Sequence, residues 1–299
     1  IKKELNTLKE AYADPRRCEI LEFEGDVRME DLIPNDGCVI TVTKTGFIKR
    51  TSVEEFRLQN RGGKGVIGSG LKDEDPIDIL HTCNAHDTLM FVMNNGRIYV
   101  EKTYEIPEAS RTSKGRNIVN LLNLQKDEKI ATVLIIDRFD SDDSIVFCTQ
   151  NGVVKKSFIK DYKNHRKGGL IGINIDDGDR VLKAMIAKPN DHLLVLTKNG
   201  KGLRFSCDQL RNQGRATRGV RGIRLKPKDK VVNMLVVDDS RLLLICGQNG
   251  LGIRTRFAAF LPNGGSDGVE DTSPRKRGGQ GVTAMNTQAV CDSLSVAED

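Results

Sequence analysis

Five basic, glycine-containing loops are the segments of this sequence best suited to chemistry, and the chemistry they suit is phosphate binding. Arg and Lys supply positive charge and hydrogen-bond donors for phosphate oxygens. Gly has no Cβ, so the backbone N–H groups beside it can approach an anion closely. The candidate contacts in these loops are Gln59, Asn60, Arg61, Gly62, Gly63, Lys64, Gly65, Arg111, Lys114, Arg116, Arg166, Lys167, Arg215, Arg218, Arg221, Arg275, Lys276 and Arg277.

A second set of basic residues lies a few positions after tight turns that end in Gly. Four of them, one in each of four units, are the fourth residue after the turn glycine, with Val100 as the exception in the remaining unit. A charge that recurs at one position is expected to add to the same phosphate-binding surface. The set contains Lys49, Arg50, Lys155, Lys156, Arg204, Arg254 and Arg256.

The loops recur because the chain contains a repeat of about fifty residues. In each copy, an apolar run enters a turn that ends in Gly, and in four of the five turns an Asn precedes it. Asn-Gly between apolar runs is a strong hairpin signal because both residues accept positive φ. The turn glycines are Gly46, Gly96, Gly152, Gly200 and Gly250, and the units span about 36–83, 86–137, 144–188, 191–238 and 241–296. The loop glycine follows 17 or 19 residues later, or 29 in the fifth unit, where 262–274 is inserted.

Each unit is expected to form four strands. In the second unit they are 89–93, 97–102, 117–122 and 129–136, and the last strand follows an acidic turn. Units of this kind must stack to bury their faces, which predicts an all-β, propeller-like ring of blades. An amphipathic helix at 1–13, within a connector over 1–17, precedes a short strand at 18–23 and the ring at 18–299.

Composition is consistent with a basic, cytosolic binding domain. The net charge is +6, and seven cysteines are scattered singly, as expected of small core residues in a reducing compartment. No metal-ligand spacing or membrane-length apolar run is present. None of Tyr12, Tyr99, Tyr104 and Tyr162 lies in a DNA-cleavage motif, and no nucleotide-binding loop or catalytic triad stands out. No active site, metal or cofactor is therefore expected in this chain.

Repetition of the loops favours nucleic-acid backbone recognition over base reading. A protein that recognises a DNA base sequence places a helix or a β-ribbon in the major groove. Basic loops around a curved rim instead contact phosphates and bend the duplex. Bending 20–30 base pairs by 40–90° costs on the order of 1–6 kcal/mol. One exposed charge pair contributes below about 1 kcal/mol, so several loops acting together are required.

At these residues the chain resembles the C-terminal domain of DNA gyrase A. The signature box of that family, Gln-Arg-Arg-Gly-Gly-Lys-Gly, is matched in six of seven positions at 59–65, where Asn60 replaces the first Arg. Further matches lie at 104–109, 115–122 and 219–225. The box is lost or degenerate in the corresponding protein of the related topoisomerase IV.

The resemblance implies a β-pinwheel whose four-stranded blades exchange strands and wrap double-stranded DNA with positive handedness. The family usually has six repeats, so either a sixth exists or the strand at 18–23 helps to close five blades. It also implies the gyrase A catalytic core and gyrase B as partners, ATP and Mg²⁺ used elsewhere in the holoenzyme, and a location at the bacterial nucleoid in the cytoplasm. The alternatives are a topoisomerase IV C-terminal domain and a protein-interaction propeller.

Overall fold

The computed structural model describes residues 1–14, 17–18, 29–56, 75–165, 168–262, 273–286 and 289–297. Its contacts divide the chain into two units, Ile1–Pro34 and Asn35–Asp299. The first unit contains helices α1 (Lys2–Tyr12) and α2 (Met29–Leu32). The predicted helix over 1–13 is thus present, and its apolar side chains are exposed. Residues 19–23 of the predicted strand lie outside the described residues.

Apart from short 3-10 helices, the regular secondary structure described in the second unit is all strand, which confirms the all-β prediction. The strands are β1 (Gly37–Thr43), β2 (Phe47–Ser52), β3 (Ile77–Asn84), β4 (Thr88–Met93), β5 (Arg97–Lys102), β6 (Arg116–Asn117), β7 (Ile130–Ile136), β8 (Ser144–Thr149), β9 (Val153–Phe158), β10 (Leu170–Ile171), β11 (Val181–Ala187), β12 (His192–Thr197), β13 (Lys201–Ser206), β14 (Val220–Arg221), β15 (Val231–Val236), β16 (Leu242–Gly247), β17 (Gly252–Arg256), β18 (Val282–Thr283) and β19 (Val290–Val296).

The strands form five antiparallel sheets, one for each repeat, which are the blades of a β-propeller. Their orders are β3-β1-β2-β6, β7-β4-β5-β10, β11-β8-β9-β14, β15-β12-β13-β18 and, among the described residues, β19-β16-β17. The first two strands of every unit form the predicted hairpin. A short 3-10 helix follows each hairpin and leads into the loop region.

The third strand of the second, third, fourth and fifth units pairs with the preceding blade and not with its own. Strand β6 of the second unit pairs with β2, and β10, β14 and β18 pair in the same way with β5, β9 and β13. These strands are also shorter than expected: the predicted strand at 117–122 is only two residues long. It ends because the Asn117 side chain accepts a hydrogen bond from the Val119 N–H and starts a 3-10 helix.

Consecutive blades pack through their innermost strands and share apolar cores. Strands β3, β7, β11, β15 and β19 contact one another in that order. Among the described residues, four buried clusters each combine side chains of two neighbouring blades, such as Phe91 with Ile40 and Phe147 with Met90. The exchanged strands therefore lie at the opposite, outer edge of the first four blades.

Helix length, possible metal ligands and the cysteines are as follows in the described part of the chain. None of its helices has the length and apolar character needed to cross a membrane. None of its His, Cys, Asp and Glu side chains group into a metal-binding cluster. Four of the seven free cysteines are buried as expected, Cys246 is half-buried, and Cys18 and Cys291 are exposed.

Candidate nucleic-acid interface

The hairpin turns are fixed by a positive-φ glycine and by a carboxylate from the acidic turn of the same unit. Gly152 has φ of 83°, which an L side chain rarely adopts. The Asp179 carboxylate accepts a hydrogen bond from the Asn151 N–H at 3.0 Å. Asp229 accepts in the same way from Asn199, also at 3.0 Å. The acidic turns of the sequence therefore lock the hairpins on which the loops dock.

Each docked loop is anchored on the turn glycine of the preceding blade. The Gly152 carbonyl accepts hydrogen bonds from the N–H groups of Gly222 and Ile223, at 2.8 and 3.3 Å. Gly96 and Gly200 make the equivalent bonds to the third and fifth units. Strand exchange thereby carries the basic loop of one unit onto the outer edge of the blade before it.

A second glycine, immediately before the exchanged strand, packs against the second strand of the receiving blade. A Cβ on Gly115 would lie 2.5 Å from the Ile48 carbonyl oxygen, and one on Gly219 would lie 2.7 Å from that of Val154. In the fifth unit the equivalent residue is Gly281, whose Cβ would lie 2.4 Å from the carbonyl oxygen of Gly202. The repeat spacing predicted the loop glycine of the fifth unit at Gly279, 29 residues after Gly250. That prediction was wrong by two residues, because the insertion at 262–274 makes the spacing in this unit differ from that in the others.

The loop of the second unit presents two exposed cations beside one that is held by the protein. Arg111 is half-buried, and its guanidinium donates to the Glu55 carbonyl at 3.1 Å. Lys114 is exposed, with its ammonium 3.8 Å from the centre of the Phe47 ring, and Arg116 is also exposed. Lys114 and Arg116 are therefore available to an anion.

Among the described residues, the loop of the fourth unit brings the largest group of exposed basic side chains together. Arg218 and Arg221 are exposed and line a groove beside the Asn151 turn of the third blade. Arg218 forms an ion pair with Asp176. Arg224, which the sequence reasoning did not select, is exposed in the same groove. The sequence feature that could have identified Arg224 is the regular spacing of Arg218, Arg221 and Arg224, which are three residues apart.

The loop of the fifth unit uses two of its three basic residues to build the loop itself. The half-buried Arg275 donates to the backbone carbonyls of Phe260, Leu261 and Pro262. Arg277 donates to the carbonyl of Arg221, which joins this loop to that of the fourth unit. Lys276 remains exposed.

Four of the basic residues predicted on the second strands are buried, which corrects the expectation that they face phosphate. The exposed fractions of Lys49, Lys155, Lys156 and Arg204 are 3%, 0%, 7% and 2%. The reason is that the second strands of the first, third and fourth blades (β2, β9 and β13) are covered on both faces, so strand alternation leaves them no solvent-facing side.

The buried cations are satisfied by protein atoms. The Lys156 ammonium donates to the Cys207 carbonyl at 2.9 Å. Arg204 forms two 2.7 Å hydrogen bonds to the Asp239 carboxylate. Arg50, which is half-buried, pairs with Glu108 at 3.0 Å.

The remaining predicted contacts are exposed or lie outside the description. Arg254 and Arg256 are exposed on β17, and Arg215 is half-buried. The residues that lie outside the described ranges are Gln59, Asn60, Arg61, Gly62, Gly63, Lys64, Gly65, Arg166 and Lys167.

Sequence reasoning missed two positioning residues, which directly follow the turn glycines of the second and fourth units. The Arg97 guanidinium donates to the Gly168 carbonyl of the third unit and pairs with Glu128 at 3.3 Å. Lys201 occupies the same position in the fourth unit and donates to the Thr283 hydroxyl at 2.8 Å. Both side chains fix a loop donated by the next unit, a role that only the exchanged pairing reveals.

Comparisons with known proteins agree with this architecture. The family model described as "DNA gyrase C-terminal domain, beta-propeller" matches residues 39–83, 87–137, 143–188, 191–238 and 273–289. The chain is 44% identical over 221 residues to DNA gyrase A of Deinococcus deserti, a match that covers 74% of this chain and 27% of that protein. It is 41% identical over 222 residues to DNA gyrase A of Mycolicibacterium smegmatis, covering 74% and 26%. The chain thus spans about a quarter of these relatives.

Solved structures extend the comparison to the three-dimensional fold. A DNA gyrase A C-terminal domain superposes with a TM-score of 0.68 at 32% identity, covering 88% of this chain and 84% of that one. A topoisomerase IV C-terminal domain gives a TM-score of 0.69 at 23% identity, covering 89% and 79%, and shows the fold alone. With the family model matching most of the chain, repeat by repeat, the chain belongs to the DNA gyrase C-terminal domain family.

Proposed function

We propose that this chain binds double-stranded DNA through phosphate contacts along the outer edges of its blades, and that it bends and wraps the duplex. The observation that carries the proposal is the recurrence of exposed Arg and Lys on the exchanged loops of the first, third and fourth blades. Lys114 and Arg116 lie on the loop docked against the first blade, and Arg218 and Arg221 on that docked against the third. Lys276 adds a charge beside the fourth blade.

The contacts favour the DNA backbone over base edges. The exposed groups are single cations on short loops, and the described residues of 35–299 include no α-helix that could enter a major groove. Binding of this kind depends on counterion release, so the logarithm of the affinity falls with the logarithm of salt by about 0.9 per phosphate neutralised. Affinity is then insensitive to sequence and steeply sensitive to salt.

In the full-length protein, we infer that the wrapped segment is presented to the catalytic core of gyrase A. The assembly would include gyrase B, and ATP and Mg²⁺ would be used by those other parts to drive negative supercoiling. This chain would determine that supercoiling proceeds in the negative direction, and it would contribute no active site. Such an enzyme works in the bacterial cytoplasm, where the nucleoid is.

The salt dependence of binding tests the phosphate contacts. The rim variant carries Arg218→Gln, Arg221→Gln and Arg224→Gln. The matched control removes three exposed basic residues next to the innermost strands: Lys126→Gln, Arg138→Gln and Lys188→Gln. Both variants lose the same charge, so net charge alone cannot separate them.

We expect the rim variant to reduce the log–log salt slope by about 2 to 3, which is 0.9 for each of three lost contacts. The control should change it by less than about 1. Binding would be measured by fluorescence anisotropy with a linear duplex of mixed sequence. Equal slopes for the two variants would contradict a rim interface.

A plasmid topology assay tests wrapping. Relaxed circles would be incubated with the chain, treated with a type I topoisomerase, freed of protein and resolved on a chloroquine gel. A positive linking-number shift that the rim variant loses would support chiral wrapping. Tight binding without any shift would instead favour the topoisomerase IV alternative, in which DNA is bent with weaker wrapping.

A further inference from the structure

A buried lysine of the first blade bonds the backbone of the loop donated by the second unit. The Lys49 ammonium donates to the carbonyls of Ser110 at 3.3 Å, Ser113 at 3.0 Å and Arg111. These three residues immediately precede Gly115, which packs on the same strand as the lysine. The loop is thus held to the first blade at two adjacent points, the hydrogen bonds of the Lys49 ammonium and the packing of Gly115.

The third blade repeats this arrangement with the loop of the fourth unit. The Lys155 ammonium donates to the carbonyl of Arg215 and to that of Gly172 in its own unit. Gly219, four residues after Arg215, packs against Val154 beside the lysine.

The two contacts are equivalent in detail. Each lysine is the third residue after its turn glycine, and each bonds the carbonyl of an arginine four residues before the docking glycine. Two blades that are separated in sequence by another blade therefore hold their donated loops with the same chemistry.

The lysine is not needed to build the blade core. In the fourth blade the same position holds Leu203, which is 1% exposed. A buried cation whose partners are carbonyls is more costly than such an apolar residue. The cost is visible in Lys155, because burial lowers the pKa of its ammonium to about 8. The lysine destabilises the core and is absent from the fourth blade, so its presence is best explained by its hydrogen bonds to the donated loop.

The blade with Leu203 holds its loop by another residue. Gln209 donates through Nε2 to the Arg275 carbonyl at 3.0 Å and accepts through Oε1 from the Arg277 N–H at 2.7 Å. The donated loop is thus held in all three blades, although by different side chains. This recurrence indicates that the loop conformation matters, and not one particular bond.

We propose that Lys49 and Lys155 are positioning residues that order the donated loops 110–115 and 214–219 and so direct their exposed cations toward DNA phosphates. This inference rests on the proposed DNA-binding function. Neither lysine touches DNA. Each acts through the loop backbone, which turns the arginines and lysines of the next unit outward.

The test uses the whole chain with Lys155→Met, which keeps the length and apolar stem of the side chain and removes the ammonium. The control is Leu203→Met, which places the same side chain at the same position of the fourth blade. Hydrogen exchange would be followed by mass spectrometry for the loop at 213–219 and for β8 and β9. The salt slope for binding to a fluorescent linear duplex would be measured in parallel.

We expect Lys155→Met to speed amide exchange in the loop by about tenfold or more, as loss of charge-assisted hydrogen bonds implies. The exchange of β8 and β9 should be unchanged, and the salt slope should fall by about 1 to 2. The control should change none of these. Lys49→Met should reproduce the result for the loop at 110–115, and it replaces Lys155→Met if that variant does not fold.

Unchanged loop exchange, or an equal increase throughout β8 and β9, would overturn the positioning role. Faster loop exchange, as expected, together with an unchanged salt slope would overturn the link to DNA. Failure of the native chain to bind DNA would overturn the proposed function instead, while the exchange data would still report whether the lysine orders the loop.

Discussion

Strand exchange between units depends on turn glycines that no other residue can replace without strain. Gly96 has φ of 85°, and a Cβ built on it would lie 2.3 Å from the carbonyl oxygen of Ile173. Gly250 has a similar φ of 77°, but a Cβ there would meet nothing within 4 Å among the described residues. The pair therefore separates two costs of substitution: the left-handed backbone, which both share, and the contact with the exchanged segment, which only Gly96 has.

We predict that Gly96→Ala destabilises the protein more than Gly250→Ala. The left-handed conformation costs an alanine about 1–2 kcal/mol in both variants. The steric conflict adds about 1–3 kcal/mol at Gly96, because the Ile173 backbone must move. A domain of this size loses about 2–4 °C of Tm per kcal/mol, so a difference of about 2 kcal/mol corresponds to about 4–8 °C.

The assay is thermal unfolding followed by circular dichroism, with hydrogen exchange at 170–173 to locate the effect. Gly214→Ala is the control, since its φ is not positive and its Cβ would meet no described atom within 4 Å. That variant should be neutral or slightly stabilising. Equal decreases of Tm for Gly96→Ala and Gly250→Ala would refute the tight docking of the exchanged strand on the turn.

Three further predictions concern buried charges and turns. The pKa of Lys155 is lowered to about 8 from an ordinary 10.5, so between these values the unfolded chain binds more protons than the folded one. The free energy of unfolding of the native chain, relative to Lys155→Met, should therefore rise by about 2 kcal/mol from pH 7 to pH 9.5 in urea titrations, and a flat difference would contradict the burial of the charge. Asp239→Asn should cost about 1–3 kcal/mol in the same assay, because it weakens the two hydrogen bonds of the buried Arg204, and an unchanged stability would argue against that pair. Asp179→Ala should cost about 1 kcal/mol by freeing the Asn151 N–H, with faster exchange at that amide, and normal protection there would show that the carboxylate is dispensable.

Local chemistry made the repeat, the hairpins and the family recognisable from the sequence. A turn such as Asn151-Gly152 requires positive φ, and few residues other than Gly and Asn accept it. The acidic turns were visible for a similar reason, since Asp179 and Asp229 act on turn amides of their own unit. These features depend on residues that are close in sequence or at a fixed spacing, so they can be recognised without a structure.

The partners of the third strands were predicted only through the family resemblance. A strand as short as Arg116–Asn117 carries too few residues to specify its neighbour by pattern. Its shortness follows from the Asn117 cap, and its pairing with β2 follows from the packing of whole units. The fifth loop was misaligned at Gly279 for the same reason, because register there is set by contact with the fourth blade.

The sequence alone determined that this protein is a repeated, basic, all-β chain with a basic, glycine-containing loop in every unit. Only the tertiary structure decided which cations are free. Lys155 and Lys156 are adjacent, so a half-buried strand would expose one of them, yet both are buried. The reason is physical: Arg215 of the exchanged loop and Gly172 of its own unit cover Lys155, whereas Cys207 of the next unit covers Lys156. Both faces of the strand are therefore buried by segments that are distant in the sequence.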